Sequence, residues 1–132
     1  MSPIVFLTAH DVVAIHAHQI ARFGGSLGLR DEGLLASAVA QAEASFDGQP
    51  MHEDLFAMAA AYLFHLVSNH AFIDGNKRVG LAAALVFLSV NGILIETGTD
   101  DLYELTMCVA RHEATRDEVA RQLRALSVPS TT

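Results

Sequence analysis

Within one short run, His70-Ala71-Phe72-Ile73-Asp74-Gly75-Asn76-Lys77-Arg78, the sequence gathers an imidazole, a carboxylate, an amide, an ammonium and a guanidinium. That set describes a phosphate site. A helix opening at Asn76 offers unpaired backbone N–H groups and the positive end of its dipole to an anion. Gly75 permits the close backbone approach an anion needs. Lys77 and Arg78 add charge-assisted donors, and a guanidinium can grip phosphate oxygens as a bidentate fork. Asp74 brings the hard oxygen ligand that Mg²⁺ takes when it bridges substrate phosphates. An imidazole, here that of His70, is the side-chain type suited to a general base near neutral pH.

Such a loop needs rigid elements on both sides, and the apolar pattern supplies them. Residues Glu53–Asn69 predict a helix that is apolar almost all round and therefore central. A second helix starts near Asn76 and ends at the Asn91-Gly92 pair. Upstream, Thr8 reads as an N-cap with Asp11 three residues on, followed by Val12, Ile15, Gln19 and Ile20 at helical spacing. Gly24-Gly25 stops that helix near Phe23, and Gly24–Arg30 reads as loop. Asp31 caps a helix with Leu34, Leu35, Ala38, Val39 and Ala42 on one face. Phe46-Asp47-Gly48-Gln49-Pro50 marks a turn or small hairpin. Ile93–Glu96 is a candidate strand and Ile4–Leu7 a second. Asp100–His112 and Thr115–Leu126 are the last helices, and Ser127–Thr132 reads as a frayed tail. The expected fold is all-α, with about six helices and a trace of strand.

With 132 residues the chain is most simply one domain, 1–132. It is 52% hydrophobic and 17% charged, against about 25% charged in an average domain, which excludes a disordered chain. The single cysteine, Cys108, excludes an internal disulfide and a cysteine-based zinc site, and fits a reducing compartment. A net charge of −7 repels phosphate backbones, so no direct nucleic-acid partner is expected. The longest apolar stretch, Gly80–Ile95, is broken by Ser89, Asn91 and Gly92 and falls short of the ~20 apolar residues that span a membrane. The N-terminus shows no secretory pattern. A cytoplasmic location without membrane contact is the expectation.

The nine-residue run resembles the signature of the Fic/Doc family, His-x-Phe-x-(Asp/Glu/Asn)-(Gly/Ala)-Asn-(Gly/Lys)-Arg. With six or seven positions specified at about one in twenty each, a chance match is rarer than roughly one in a hundred thousand. The likeness extends to an Ile-His pair in the first helix, to Phe23-Gly24-Gly25-x-x-Gly28-Leu29-Arg30-Asp31, and to the apolar helix before the run. Small size and Lys77 resemble the death-on-curing (Doc) branch. The resemblance implies the Fic/Doc fold with a small β-hairpin flap over Glu43–Met51, which aligns a target strand by backbone pairing. It implies His70 as the base that deprotonates a target hydroxyl, and Asp74 as the Mg²⁺ ligand. Gly75, Asn76, Lys77 and Arg78 would form the phosphate and nucleotide site, with Asn76 and Arg78 contacting phosphate oxygens. Phe72 would be a buried anchor of the loop.

Two departures from the adenylylating pattern bear on the reaction. Lys77 stands where those enzymes have glycine, and Leu81 where they have a second arginine. Both are shared with the death-on-curing toxin, a kinase that binds ATP with its γ-phosphate toward the hydroxyl of its target, a threonine of elongation factor Tu, and so halts translation. By that resemblance the chain is a toxin that phosphorylates a protein. The alternatives are AMP transfer, or an inactive fold that only binds its antitoxin. Many relatives restrain themselves with a (Ser/Thr)-x-x-x-Glu helix, and no Ser or Thr here has Glu four residues later. Restraint is therefore expected from a separate antitoxin, whose C-terminal segment would fold as a helix in a groove of the toxin.

Alone, the loop also describes a capped helix junction with Asp74 as N-cap and solvated charges; the fixed pattern decides against that. Other candidates reduce to structure. His16 and His18 lie about 200° apart on a helix and cannot share a metal. His52-Glu53 lacks a second histidine four residues on. His10, His65 and His112 read as surface or satisfied core residues. Cys108, Phe56, Phe64, Phe87 and Leu88 read as core, Asp100-Asp101 as a helix start, and Gly24-Gly25-x-x-Gly28 as a turn, since no Lys-Ser/Thr ending follows.

Overall fold

The computed structural model describes residues 3–46, 49–50, 54–95 and 99–129. Among them are six helices: α1 (Ala9–Phe23), α2 (Glu32–Glu43), α3 (Leu55–Asn69), α4 (Asn76–Val90), α5 (Thr99–Ala110) and α6 (Arg116–Leu126). Two antiparallel ladders accompany them, β1 (Ser45–Phe46) with β2 (Gln49–Pro50), and β3 (Ile93–Ile95) with β4 (Ser127–Pro129). The all-α fold is as expected. None of the described helices is long and apolar enough to cross a membrane.

Short polar side chains set most helix starts. Thr8 and Asp11 exchange hydrogen bonds of 3.1 and 2.8 Å with each other's main chain, which fixes the start of α1. Thr115 and Glu118 do the same for α6. Asp31 accepts from the Leu34 N–H and Asp54 from the Ala57 N–H, so α3 begins at Leu55 rather than at Glu53, which lies outside the described residues.

The core forms around α3, whose Met58 to Leu63, Leu66 and Val67 are all buried. Three consecutive alanines, Ala59–Ala61, let α2, α4 and α6 approach it closely. The α3–α4 contact is tightest at Gly80, where a Cβ would lie 2.7 Å from Val67 Cγ2 and 3.2 Å from the Leu63 carbonyl oxygen. These two helices carry the ends of the loop that holds the polar run, so their close packing fixes its span.

Three expectations are corrected. Residues 4–7 form no strand. Side chains take the main-chain bonds a ladder would have made: Asn91 holds both the N–H and the carbonyl of Val5 at 2.9 Å, and the Tyr62 hydroxyl does so for Leu7 at 2.8 and 3.0 Å. The tail is paired rather than frayed from Ser127, because α6 delivers it alongside β3, with Ile95 opposite Ser127 and Ile93 opposite Pro129. Cys108 is only half-buried, its thiol 3.7 Å from the Arg111 guanidinium. Phe56 and Phe64, partly buried, pack against the core to which Phe87 and Leu88 belong. Of the expected flap, α2 runs through Glu43 and β1 pairs with β2, while Asp47, Gly48 and Met51 lie outside the described residues. Glu96 and residues 130–132 also lie outside them.

Tyr62 is wholly buried, and burial pushes its hydroxyl up to about 12. An unfolded tyrosine titrates near 10. Between about pH 10 and 12 the folded chain therefore keeps a proton that the unfolded chain has lost, and stability falls as pH rises through that window. Tyr62→Phe should cost about 1–3 kcal/mol at neutral pH by orphaning both polar groups of Leu7. Denaturant unfolding should show the gap between wild type and variant narrowing from pH 9 to pH 11.

Candidate active site

The polar run occupies the connection from α3 to α4. Its first residue, His70, caps α3 in the left-handed conformation, φ 52° and ψ 48°. The turn between α1 and α2 runs antiparallel to the run and pairs with it step by step. The Ser26 N–H donates to Asp74 Oδ2 at 2.9 Å, and the Ile73 N–H donates to the Gly28 carbonyl at 3.0 Å. Leu29 bridges Phe72. The Arg30 and Asp31 N–H groups both donate to the Ala71 carbonyl, at 2.7 and 3.0 Å. The Arg30 guanidinium donates from Nε at 2.9 Å and from Nη2 to the His70 carbonyl. Two glycines of this turn, Gly25 and Gly28, have a steric reason. At Gly25, φ 120°, a Cβ would lie 2.6 Å from Asp74 Oδ2 and 3.0 Å from Arg78 Nη2.

From the opposite side α1 contributes His16. It is 2% exposed, its ring stacks on Phe72 with centroids 3.9 Å apart, and Nε2 lies 2.6 Å from the Asp74 carbonyl oxygen. A carbonyl only accepts, so Nε2 carries the proton. Sequence reasoning ruled His16 out as half of a metal pair and gave it no other role. A signal was there: the buried positions of α1 are Val12, His16 and Ile20, a histidine in the middle of an aliphatic stripe.

Phe72 is buried. The other expected residues, His70, Asp74, Gly75, Asn76, Lys77 and Arg78, line one cleft of about 430 Å³, with Val67 and Ala110 among its apolar walls. Asn76 holds the loop with its side chain: Oδ1 accepts from the Phe72 N–H at 3.0 Å and Nδ2 donates to the Phe72 carbonyl at 2.9 Å. This closure leaves its backbone N–H, at the first position of α4, as the group available to an anion. No side chain caps α4, whose N-cap is the left-handed Gly75 at φ 77°. The main-chain N–H groups of Ser26 and then Gly75, with Arg78 and His16 nearby, hold the Asp74 carboxyl below the ordinary aspartate range. It is therefore a carboxylate at neutral pH. Among the described residues no cluster of three or more His, Cys, Asp or Glu could hold a metal ion. A lone ionised carboxylate beside an anion site fits Mg²⁺, which takes one or two carboxylates and completes its shell with substrate phosphates and water. Beyond Lys77 and Arg78 lies an apolar groove of about 420 Å³ between α4 and α5, walled by Leu81, Leu85, Leu102, Tyr103 and Met107.

The sequence profile of the Fic/DOC family matches residues 6–88, from before α1 into the last turn of α4. That span holds the whole of the polar run, the turn and His16. The chain belongs to the Fic/DOC family. It is 38% identical over 129 residues to a protein of Mycolicibacterium smegmatis named Toxin Doc, covering 96% of this chain and 97% of that one. It is 32% identical over 120 residues to the protein kinase doc of Escherichia phage P1, covering 91% and 94%. Within this Fic/DOC chain, Lys77 and Arg78 stand where the polar cleft meets the apolar groove, and Leu81 lines the groove.

His16→Phe keeps a ring against Phe72 but removes the donor to the Asp74 carbonyl. It should lower stability by about 1–3 kcal/mol, the cost of an unpaired buried acceptor. His16→Gln, which can present an N–H near the same place, should recover part of that loss in urea unfolding.

Proposed function

We propose that this chain is the toxin of a toxin–antitoxin module and acts in the cytoplasm as a protein kinase. It transfers the γ-phosphate of ATP to a hydroxyl of a protein, a threonine of elongation factor Tu, and so arrests translation. The observation that carries this reading is the single cleft shared by His70, Asp74, Lys77, Arg78 and the uncapped start of α4. The names of the relatives point the same way, one a toxin and the other a protein kinase.

In this mechanism the backbone N–H groups at the start of α4 and the Arg78 guanidinium bind the phosphate chain. His70 accepts the proton of the target hydroxyl as its oxygen attacks the γ-phosphorus. The bond from that phosphorus to the β-bridging oxygen breaks, and ADP leaves. Asp74 would hold Mg²⁺ beside the substrate phosphates, where the ion would supply charge neutralisation. Asn76 keeps the loop closed through Phe72, and Gly75 lets the backbone approach. Lys77 fills space at the inner phosphates and sets which end of ATP meets the hydroxyl. The β1–β2 hairpin serves as the flap that aligns the target strand. The groove between α4 and α5 suits the apolar face of an antitoxin helix, which supplies the restraint that the chain's own sequence lacks.

Mass spectrometry of elongation factor Tu, incubated with this protein, ATP and Mg²⁺, should show the added mass of a phosphoryl group. An adenylyl mass, or no modification, refutes the kinase reading. His70→Ala should reduce transfer by about 10²–10⁴ while remaining folded. Lys77→Gly should weaken phosphate transfer; wild-type kinase activity in that variant would make Lys77 a bystander. Co-expression with the antitoxin should abolish growth inhibition.

A further inference from the structure

Helix ends that turn left-handed are ordinarily made by glycine, because a side chain there costs about 1–2 kcal/mol. Gly92, φ 90°, follows that rule after α4, while His112, φ 61°, stands left-handed after α5, where the helix closes on itself through the Glu113 N–H to the Cys108 carbonyl at 2.8 Å. At the end of α3 the position is taken by His70, at φ 52°. A base placed there depends on whatever keeps the backbone from relaxing. The adjoining Ala71 carbonyl is held by two main-chain N–H groups, those of Arg30 and Asp31, donors that only a proline substitution would remove. The His70 carbonyl is held differently, by Nε and Nη2 of the Arg30 side chain together. Arg30 is exposed and makes no ion pair among the described residues. A guanidinium fork, whose usual partner is a carboxylate or phosphate, is here spread over one neutral carbonyl.

We infer that Arg30 is a positioning residue: its fork on the His70 carbonyl holds His70 left-handed and thereby places the imidazole in the cleft. The inference rests on the reading of His70 as general base. It sets Arg30 apart from the groups that bind nucleotide, because Arg30 does not line the cleft.

Arg30→Met retains an unbranched side chain without donors, and Arg30→Lys restores one. In Arg30→Met, kcat for phosphate transfer should fall about 10–100-fold, as misplacement of a reacting group by about 1 Å allows. The KM for ATP should stay within about twofold, since Asp74, Gly75 and Arg78 keep their partners. Arg30→Lys should recover a substantial part of kcat. The HN–Hα coupling and Cβ shift of His70, read by NMR, should leave their left-handed values in Arg30→Met and return toward them in Arg30→Lys. That readout needs no activity, so it separates the two claims. A wild type inactive as a kinase, with His70 still released in Arg30→Met, sinks the reaction and leaves the positioning role standing. Unchanged His70 signals in folded Arg30→Met overturn the inference, and so does a kcat equal to that of wild type.

Discussion

Main-chain N–H and C=O groups that leave a helix must find other partners when they are enclosed by protein. Residues 70–75 join two helices that pack as closely as Gly80 allows, and several of their main-chain groups find partners outside both helices. The partners come from three directions. The 26–31 turn supplies N–H groups and one arginine fork, α1 supplies the His16 imidazole, and Asn76 folds back on Phe72. Each partner settles the direction of a main-chain group, and with it the side chain beside that group. The geometry of the cleft follows from how the loop's polar groups are satisfied.

This accounts for a division of labour that residue types alone do not reveal. Asn76 and Asp74 both carry oxygen acceptors, and both belong to the same short run. Asn76 uses both ends of its amide on one neighbouring residue and becomes a strut. Asp74 accepts one N–H at each oxygen, which holds it ionised while leaving each oxygen a further lone pair. The same accounting places charge. In a chain of net charge −7 with only 8 Lys and Arg, two of them stand side by side at the uncapped start of α4. A cleft of that kind concentrates positive potential at one point of an otherwise acidic molecule.

The helices and the residues lining the cleft were legible in the sequence because their signals are local. Thr8, Asp31 and Thr115 announce helix starts within three residues, and the spacing from His70 to Arg78 carries its own pattern. The partners of the loop were not legible. The pairing of Ser26 with Asp74 and of Arg30 with His70 joins positions 48 and 40 residues apart, and the main-chain group in each pair, a donor in the first and an acceptor in the second, has no residue type to betray it. The same applies to β4, a Ser-Val-Pro segment made a strand only by what lies beside it. The strand expected at 4–7 failed for a related reason. Its unbroken apolar character is real, but a tyrosine hydroxyl and an asparagine amide took the bonds a neighbouring strand would have made.

The long separations across the loop also set when the site can exist. His16 is 58 residues from Asp74, and Asn91 is 86 residues from the Val5 main chain it holds. Contacts this distant are made only after the loop-closure entropy of the intervening chain has been overcome, so they form late and together with the global fold. A growing chain still on the ribosome can wind α1 and α2 as soon as they emerge, but it lacks the residues against which their turn is braced. The cleft is therefore a product of complete folding, and a partly synthesised or partly unfolded chain carries the polar run without the arrangement that makes it a cleft.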